Sequence, residues 1–266
     1  MADSNTPVVF VHGLWLHSSS WQNWVDLFHK AGYGSSTIDW PGDSKTVNDA
    51  RKNPDLVAGK GLDEIVEFHA QQLSKNGPKP IIIGHSFGGL IVEKLAGMGL
   101  SSASIAIDPA PMKGIFLLPF SALRVASIAL RNPANKSRTV SLTEAEFRYG
   151  FGNALEPEES RELYEEWAIP SPGKPLFEAS AANFFPHSPA KVESENPNRG
   201  PMLIIGGGFD HTVPASVSRS AYKIESKSTA ITDLKVFDDK GHSLTIDHGW
   251  REVADYVLHW LKQQSL

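Results

Sequence analysis

Short apolar runs recur along this chain, separated by stretches patterned as helices. The runs are continuous rather than alternating: Val8–Val11, Ile81–Ile83, Ser104–Ile107 and Met202–Ile205, with further strands near Ser36–Asp39 and at Leu234–Phe237. A continuous run reads as a strand covered on both faces, which is the situation in a parallel sheet with helices on either side. Between the runs, apolar residues fall at helical spacing. Trp21, Trp24, Val25 and Phe28 precede Gly32, and Leu62, Ile65, Val66, His69 and Leu73 precede "KNGPKP". Further helices are expected over residues 87–98 and near 215–226. A final one carries Trp250, Val253, Ala254, Val257, Leu258 and Leu261 on one side. The expected fold class is α/β, a three-layer α/β/α sandwich with a mostly parallel sheet of about six strands.

The rhythm breaks between residues 111 and 199. That stretch holds "GIFLLPFSALRVASIAL", helix starts at "SLTEAEF" and "EPEESRELYEEW", and proline-rich turns. It is expected to be a mainly helical cap, inserted into a core made of residues 1–110 and 200–266.

The 266 residues carry a net charge of −5, which leaves no cationic footprint for nucleic acid. No run approaches the roughly twenty apolar residues of a membrane span. With no cysteine, disulfides and thiolate chemistry are excluded. "MADSNTPVVF" lacks the marks of a leader, so a cytoplasmic address is expected. The expected partner is a small-molecule substrate, met by a monomer or homodimer.

"IIIGHSFGGLIV", residues 81–92, places Ser86 between a buried strand and a helix in the pattern G-x-S-x-G. Small residues on either side let the chain turn sharply, lifting the hydroxyl above the sheet edge at a helix start, where free N–H groups favour negative charge. A serine needs a base. Of the ten histidines, His242 in "FDDKGHSLT" lies just past the last strand, at the sheet edge where ligands bind. The orienting acid should follow another strand. Asp210 in "LIIGGGFDHTVP" does so and gives the order Ser–Asp–His; Asp108 in "AIDPAP" is the alternative. The oxyanion would rest on the amides of Phe87 and of Leu14 in "VHGLW", with Trp15 as the other choice on that loop. Trp15, Leu117, Leu118, Phe120, Phe184 and His187 are candidate lining for a substrate pocket.

No cofactor is expected. "GGG" at 206–208 lacks the context of a phosphate loop, and the grouping Asp210, His211, His242 and His248 lacks metal-ligand spacing.

Through "VHGLW", "GHSFGG", "GFDHTVP" and "KGHS", the chain from Val8 to the last helix resembles the α/β-hydrolase superfamily. The resemblance implies the α/β-hydrolase fold with a helical cap, a triad carried over to Ser86, His242 and Asp210, and an oxyanion hole at Leu14 and Phe87. The chain begins near the family's third strand, without its first antiparallel pair. Serine at position 86 argues against the members that use an aspartate nucleophile. The expected activity is hydrolysis of a small to medium, largely apolar carboxylic ester or lactone through an acyl-enzyme. The same constellation also serves cofactor-free haloperoxidases or perhydrolases, carbon–carbon hydrolases and lyases. A binding module with vestigial hydrolysis is the reading from another class.

Overall fold

The computed structural model describes residues 6–74, 77–116 and 119–266. The chain starts with strand β1 (Pro7–Val11), helix α1 (Gln22–Lys30) and β2 (Gly34–Ile38). Helices α2 (Val47–Lys52) and α3 (Leu62–Leu73) lead to β3 (Ile81–His85), α4 (Phe87–Gly97) and β4 (Ala103–Ile107). The inserted cap holds α5 (Phe120–Leu130), β5 (Thr139–Val140), α6 (Glu144–Gly150), α7 (Pro157–Trp167), β6 (Ser171–Pro172) and α8 (Lys174–Ser180). The sheet resumes with β7 (Met202–Gly207), α9 (Ala215–Glu225), β8 (Thr232–Phe237) and α10 (Trp250–Gln263).

The six long strands form one sheet in the order β2-β1-β3-β4-β7-β8, with every neighbouring pair parallel. Side chains alternate across it. Val8, Phe10, Ile81, Ile83, Ile105, Leu203 and Ile205 pack with Trp24 and Phe28 of α1 and with Val253, Val257 and Leu261 of α10. Val9, Val11, Ile82, Ala106, Met202 and Ile204 face α3, α4 and α9. Each fully buried side chain of this size contributes about 1.5–3 kcal/mol. The apolar runs of β1, β3, β4 and β7 are continuous because both faces of these strands are covered, whereas the edge strands β2 and β8 are only partly buried. The short β5–β6 pair is confined to the cap, where α6 starts on a capping box between Thr143 and Glu146. Helices α2 and α8 had no counterpart in the sequence reading, since each is short. No helix is long and apolar enough to cross a membrane, among the described residues.

Charge is buried at one place far from the strand ends that carry the serine. Glu93 of α4 and Glu225 of α9 are both fully inaccessible, with Arg199 between them in charge, its Nε 3.4 Å from Glu225 Oε2. Two carboxyls thus share one guanidinium. Burial, against the partial relief of Arg199, raises Glu225 to about 7; burial and then the charge of Glu225 raise Glu93 well above the usual range. Because both values rise on folding, their contribution to stability is complete below about 4.5; that of Glu225 is lost as pH climbs through about 7, and that of Glu93 as pH climbs through its own raised value. Glu93→Gln should therefore gain on the order of 1–3 kcal/mol at about pH 8 and little at about pH 5. Urea denaturation at the two pH values checks this; equal gains at both would refute the assignment.

Candidate active site

Five elements converge at the C-terminal edge of the sheet. Strand β3 delivers Ser86 on a turn with φ 58° and ψ −123°, a conformation that costs a non-glycine residue of the order of 1–3 kcal/mol. Backbone bonds hold it: Ser86 N donates to Ile107 O at 2.9 Å, and Ala110 N donates to Ser86 O at 3.0 Å. Gly88 is required because a Cβ there would lie 2.2 Å from Val11 O. Gly13 is required for the same reason, its Cβ position falling 2.7 Å from both His85 O and Ser86 Cβ. The loop after β1 is thereby pressed against the serine turn. Gly88→Ala should cost about 3 kcal/mol or more, because the obstructing atoms are backbone. Thermal unfolding measures it; a melting temperature equal to wild type would show that the start of α4 and the end of β1 are not held this closely.

His242 stands on the loop after β8, fully buried. Its Nδ1 lies 2.6 Å from Asp210 Oδ2, and its Nε2 has no hydrogen-bond partner among the described residues. Asp210, on the loop after β7, is anchored through Oδ1, which accepts from Thr212 N at 2.6 Å and Val213 N at 2.8 Å. The ring of His85, one residue before the serine, lies 4.5 Å from that of His242. Burial and then the neighbouring His242 hold His85 well below the usual imidazole value, so it is neutral.

Asp108 is brought to the same place. Its Oδ2 is 3.9 Å from His242 Nδ1, and its Oδ1 accepts from Gly207 N at 2.7 Å. The structure therefore assembles both acids weighed from the sequence around one imidazole. His85, Asp108 and His242 also bring one possible metal-ligand atom each within 4.8 Å of one another. His211 and His248 do not join them: His211 meets Tyr149 O, and His248 pairs with Glu159 at the surface.

On the β1 loop, Leu14 is buried and Phe87 opens α4, so the Phe87 amide has no acceptor within its own helix. The Cβ position of Gly13 comes within 3.3 Å of Phe87 N, which shows how closely the two loops approach. Trp15 N–H is already used, donating to Ser171 Oγ at 2.6 Å. Trp15, with φ 67°, is 3% exposed, and its indole donates to Val140 O of the cap.

The pocket expectations divide. Trp15 sits at the site, in edge contact with Phe151, and Phe151 in turn meets the His242 ring at 4.7 Å. Phe120 and Phe184 are each 82% exposed and are not buried beside the serine turn. Helix α5 buries Val125, Ile128 and Ala129 instead, which turns Phe120 outward, and the turn carrying Phe184 buries only Ala182. His187 is exposed as well. Leu117 and Leu118 lie outside the described residues. Sequence reasoning missed Phe147 and Phe151, stacked 4.8 Å apart, although their four-residue spacing was a usable helical signal. It also missed Ser171, for which a proline-rich turn offered no signal.

A strained serine at a strand-to-helix turn and a buried histidine–aspartate pair thus stand at the ends of parallel strands in a three-layer α/β/α sandwich. The chain belongs to the alpha/beta hydrolase family, which it matches over residues 8–256, and is a hydrolase by class. Among solved structures it is similar to a monoacylglycerol lipase from Paleococcus ferrophilus, at 21% identity and a TM-score of 0.67, covering 97% of this chain and 94% of that one. It is also similar to a methylesterase from Arabidopsis (18%, TM-score 0.67, 97% and 99%). A thermophilic esterase from Thermogutta terrifontis gives 16%, a TM-score of 0.65, and coverage of 97% and 90%. At these identities the likeness is one of fold. No curated protein matches the chain in sequence.

Proposed function

We propose that this protein is a serine hydrolase cleaving a small to medium, largely apolar carboxylic ester or lactone through an acyl-enzyme. The observation that carries the reading is the 2.6 Å contact between His242 Nδ1 and Asp210 Oδ2, which leaves Nε2 as the nitrogen available to a serine proton. His242 takes the proton of Ser86 Oγ as that oxygen attacks the carbonyl carbon. The resulting oxyanion is met by the amides of Leu14 and Phe87. The proton then passes from Nε2 to the leaving alcohol, water attacks the acyl carbon with His242 again as base, and the acid departs with Ser86 restored.

Apolar substrate follows from the surroundings. Leu14, Trp15, Leu16, Phe87 and Phe151 are all buried here, and a polar substrate would lose hydration without gaining partners. The solved structures described as a monoacylglycerol lipase, a methylesterase and an esterase agree with ester chemistry on this fold. Residues 111–199 act as the cap over a core of residues 1–110 and 200–266. Ser86 is 4% exposed, so admitting an ester requires the cap segments bearing Phe151 and Ser171 to shift.

The test is intact mass after exposure to a small fluorophosphonate, alongside nitrophenyl esters of increasing chain length. One stoichiometric adduct and turnover of short and medium chains are expected. A folded protein with neither would sink the reading and favour a binding role.

A further inference from the structure

Two carboxyls and one imidazole share the space at the ends of β4, β7 and β8, and the hydrogen-bond count around them is uneven. Asp210 receives three donors: Thr212 N and Val213 N on Oδ1, and His242 Nδ1 on Oδ2. Asp108 receives one, Gly207 N on Oδ1. Its Oδ2 is fully buried, finds no conventional donor among the described residues, and lies against the Asp210 side chain and 3.9 Å from His242 Nδ1. An anion in that position would be an uncompensated buried charge beside a second one. The charged and titratable groups facing it are Asp210, His242 and neutral His85, and none of them offers it a spare proton. Burial, and then the charge of Asp210, hold the Asp108 carboxyl well above the usual carboxylate range.

We propose that Asp108 is a neutral positioning acid of this site, whose carboxyl O–H donates to the Asp210 carboxylate and fixes that carboxylate against His242. This rests on the serine-hydrolase reading above and adds to it a fourth side chain. The arrangement explains why Asp108 adopts φ 42° at the first residue after β4: the strained backbone turns the carboxyl toward Gly207 and Asp210 rather than toward solvent. With the Asp108 proton on it, the negative charge of Asp210 is spread over four donors. Its oxygen is then held in line with Nδ1 during both proton transfers.

The test uses the full chain, nitrophenyl acetate turnover against pH, and fluorophosphonate labelling. Asp108→Val, which removes the donor, should lower kcat by about tenfold or more with KM little changed, as expected for one charge-assisted hydrogen bond. The acidic limb of its rate profile should move to higher pH, because an Asp210 carboxylate relieved of a donor attracts the imidazolium more strongly. Asp108→Asn offers an N–H toward Asp210 and an oxygen toward Gly207 N, and should rescue most of the loss and restore the limb.

If Asp108 were instead an anion, the valine variant would shift the limb to lower pH and asparagine would not rescue; either result overturns the proposal. A valine variant with unaltered kcat and profile also overturns it, leaving packing as the residue's whole role. Should the valine variant not fold, asparagine alone decides, since a loss near a thousandfold is the signature of a missing charge, not of a kept donor. Wild-type protein that forms no adduct would bring down the serine-hydrolase reading and this inference together. Normal labelling with an indifferent Asp108 brings down only the inference.

Discussion

Ser86→Ala is expected to lower ester turnover by about 10⁴- to 10⁶-fold and to abolish the fluorophosphonate adduct, with the fold intact. The fold should survive because the turn is held by main-chain bonds, from Ser86 N to Ile107 O and from Ala110 N to Ser86 O, and the hydroxyl caps nothing in α4. Activity should fall so far because serine, histidine and acid act as one unit, and what remains is only binding and oxyanion stabilisation. A companion variant separates strain from chemistry. Ser86→Gly relieves the positive φ of 58° and should raise stability by about 1 kcal/mol while being just as inactive. Circular dichroism melting and ester turnover measured together check both. Turnover within tenfold of wild type in Ser86→Ala would move the nucleophile elsewhere.

Asp210→Asn is expected to reduce kcat by about 10³- to 10⁴-fold with little change in KM. The reason lies in the two faces of the carboxylate. Oδ1 accepts from Thr212 N and Val213 N, so an asparagine will turn its carbonyl oxygen that way. Its NH₂ then points at His242 Nδ1, where an acceptor used to be 2.6 Å away. The imidazole must present Nδ1 as acceptor and carry its proton on Nε2, the nitrogen that has to accept from Ser86. The histidine stays in place in the wrong tautomer. Pre-steady-state acylation by a nitrophenyl ester measures this step directly. If acylation were slowed less than tenfold, Asp108 rather than Asp210 would be the orienting acid.

Much of this site was legible before any coordinates because its parts lie at chain-local junctions. Ser86 sits where an isoleucine strand meets a helix, and the strain of that turn demands small residues at Gly84 and Gly88. Asp210 and His242 each follow an apolar strand by a few residues, and strand ends in a parallel sheet all open on one edge. The cap was legible as helical but not in its orientation. Phe120 and Phe151 are equally apolar letters, yet one is 82% exposed and the other is buried against His242. Which face of a short helix turns inward depends on its partners, and α5 and α6 find theirs among residues distant in sequence.

What the sequence by itself determined is the layered α/β architecture, the insertion and the serine turn, since periodicity and local sterics act over a few residues. The tertiary structure alone decided the strand order β2-β1-β3-β4-β7-β8, and with it that β4 and β7 are neighbours. That adjacency brings Asp108 and Asp210, about a hundred positions apart, to one imidazole. The tertiary structure likewise commits the Trp15 amide to Ser171. Such contacts join residues remote along the chain, and their energies come from packing that no local pattern encodes.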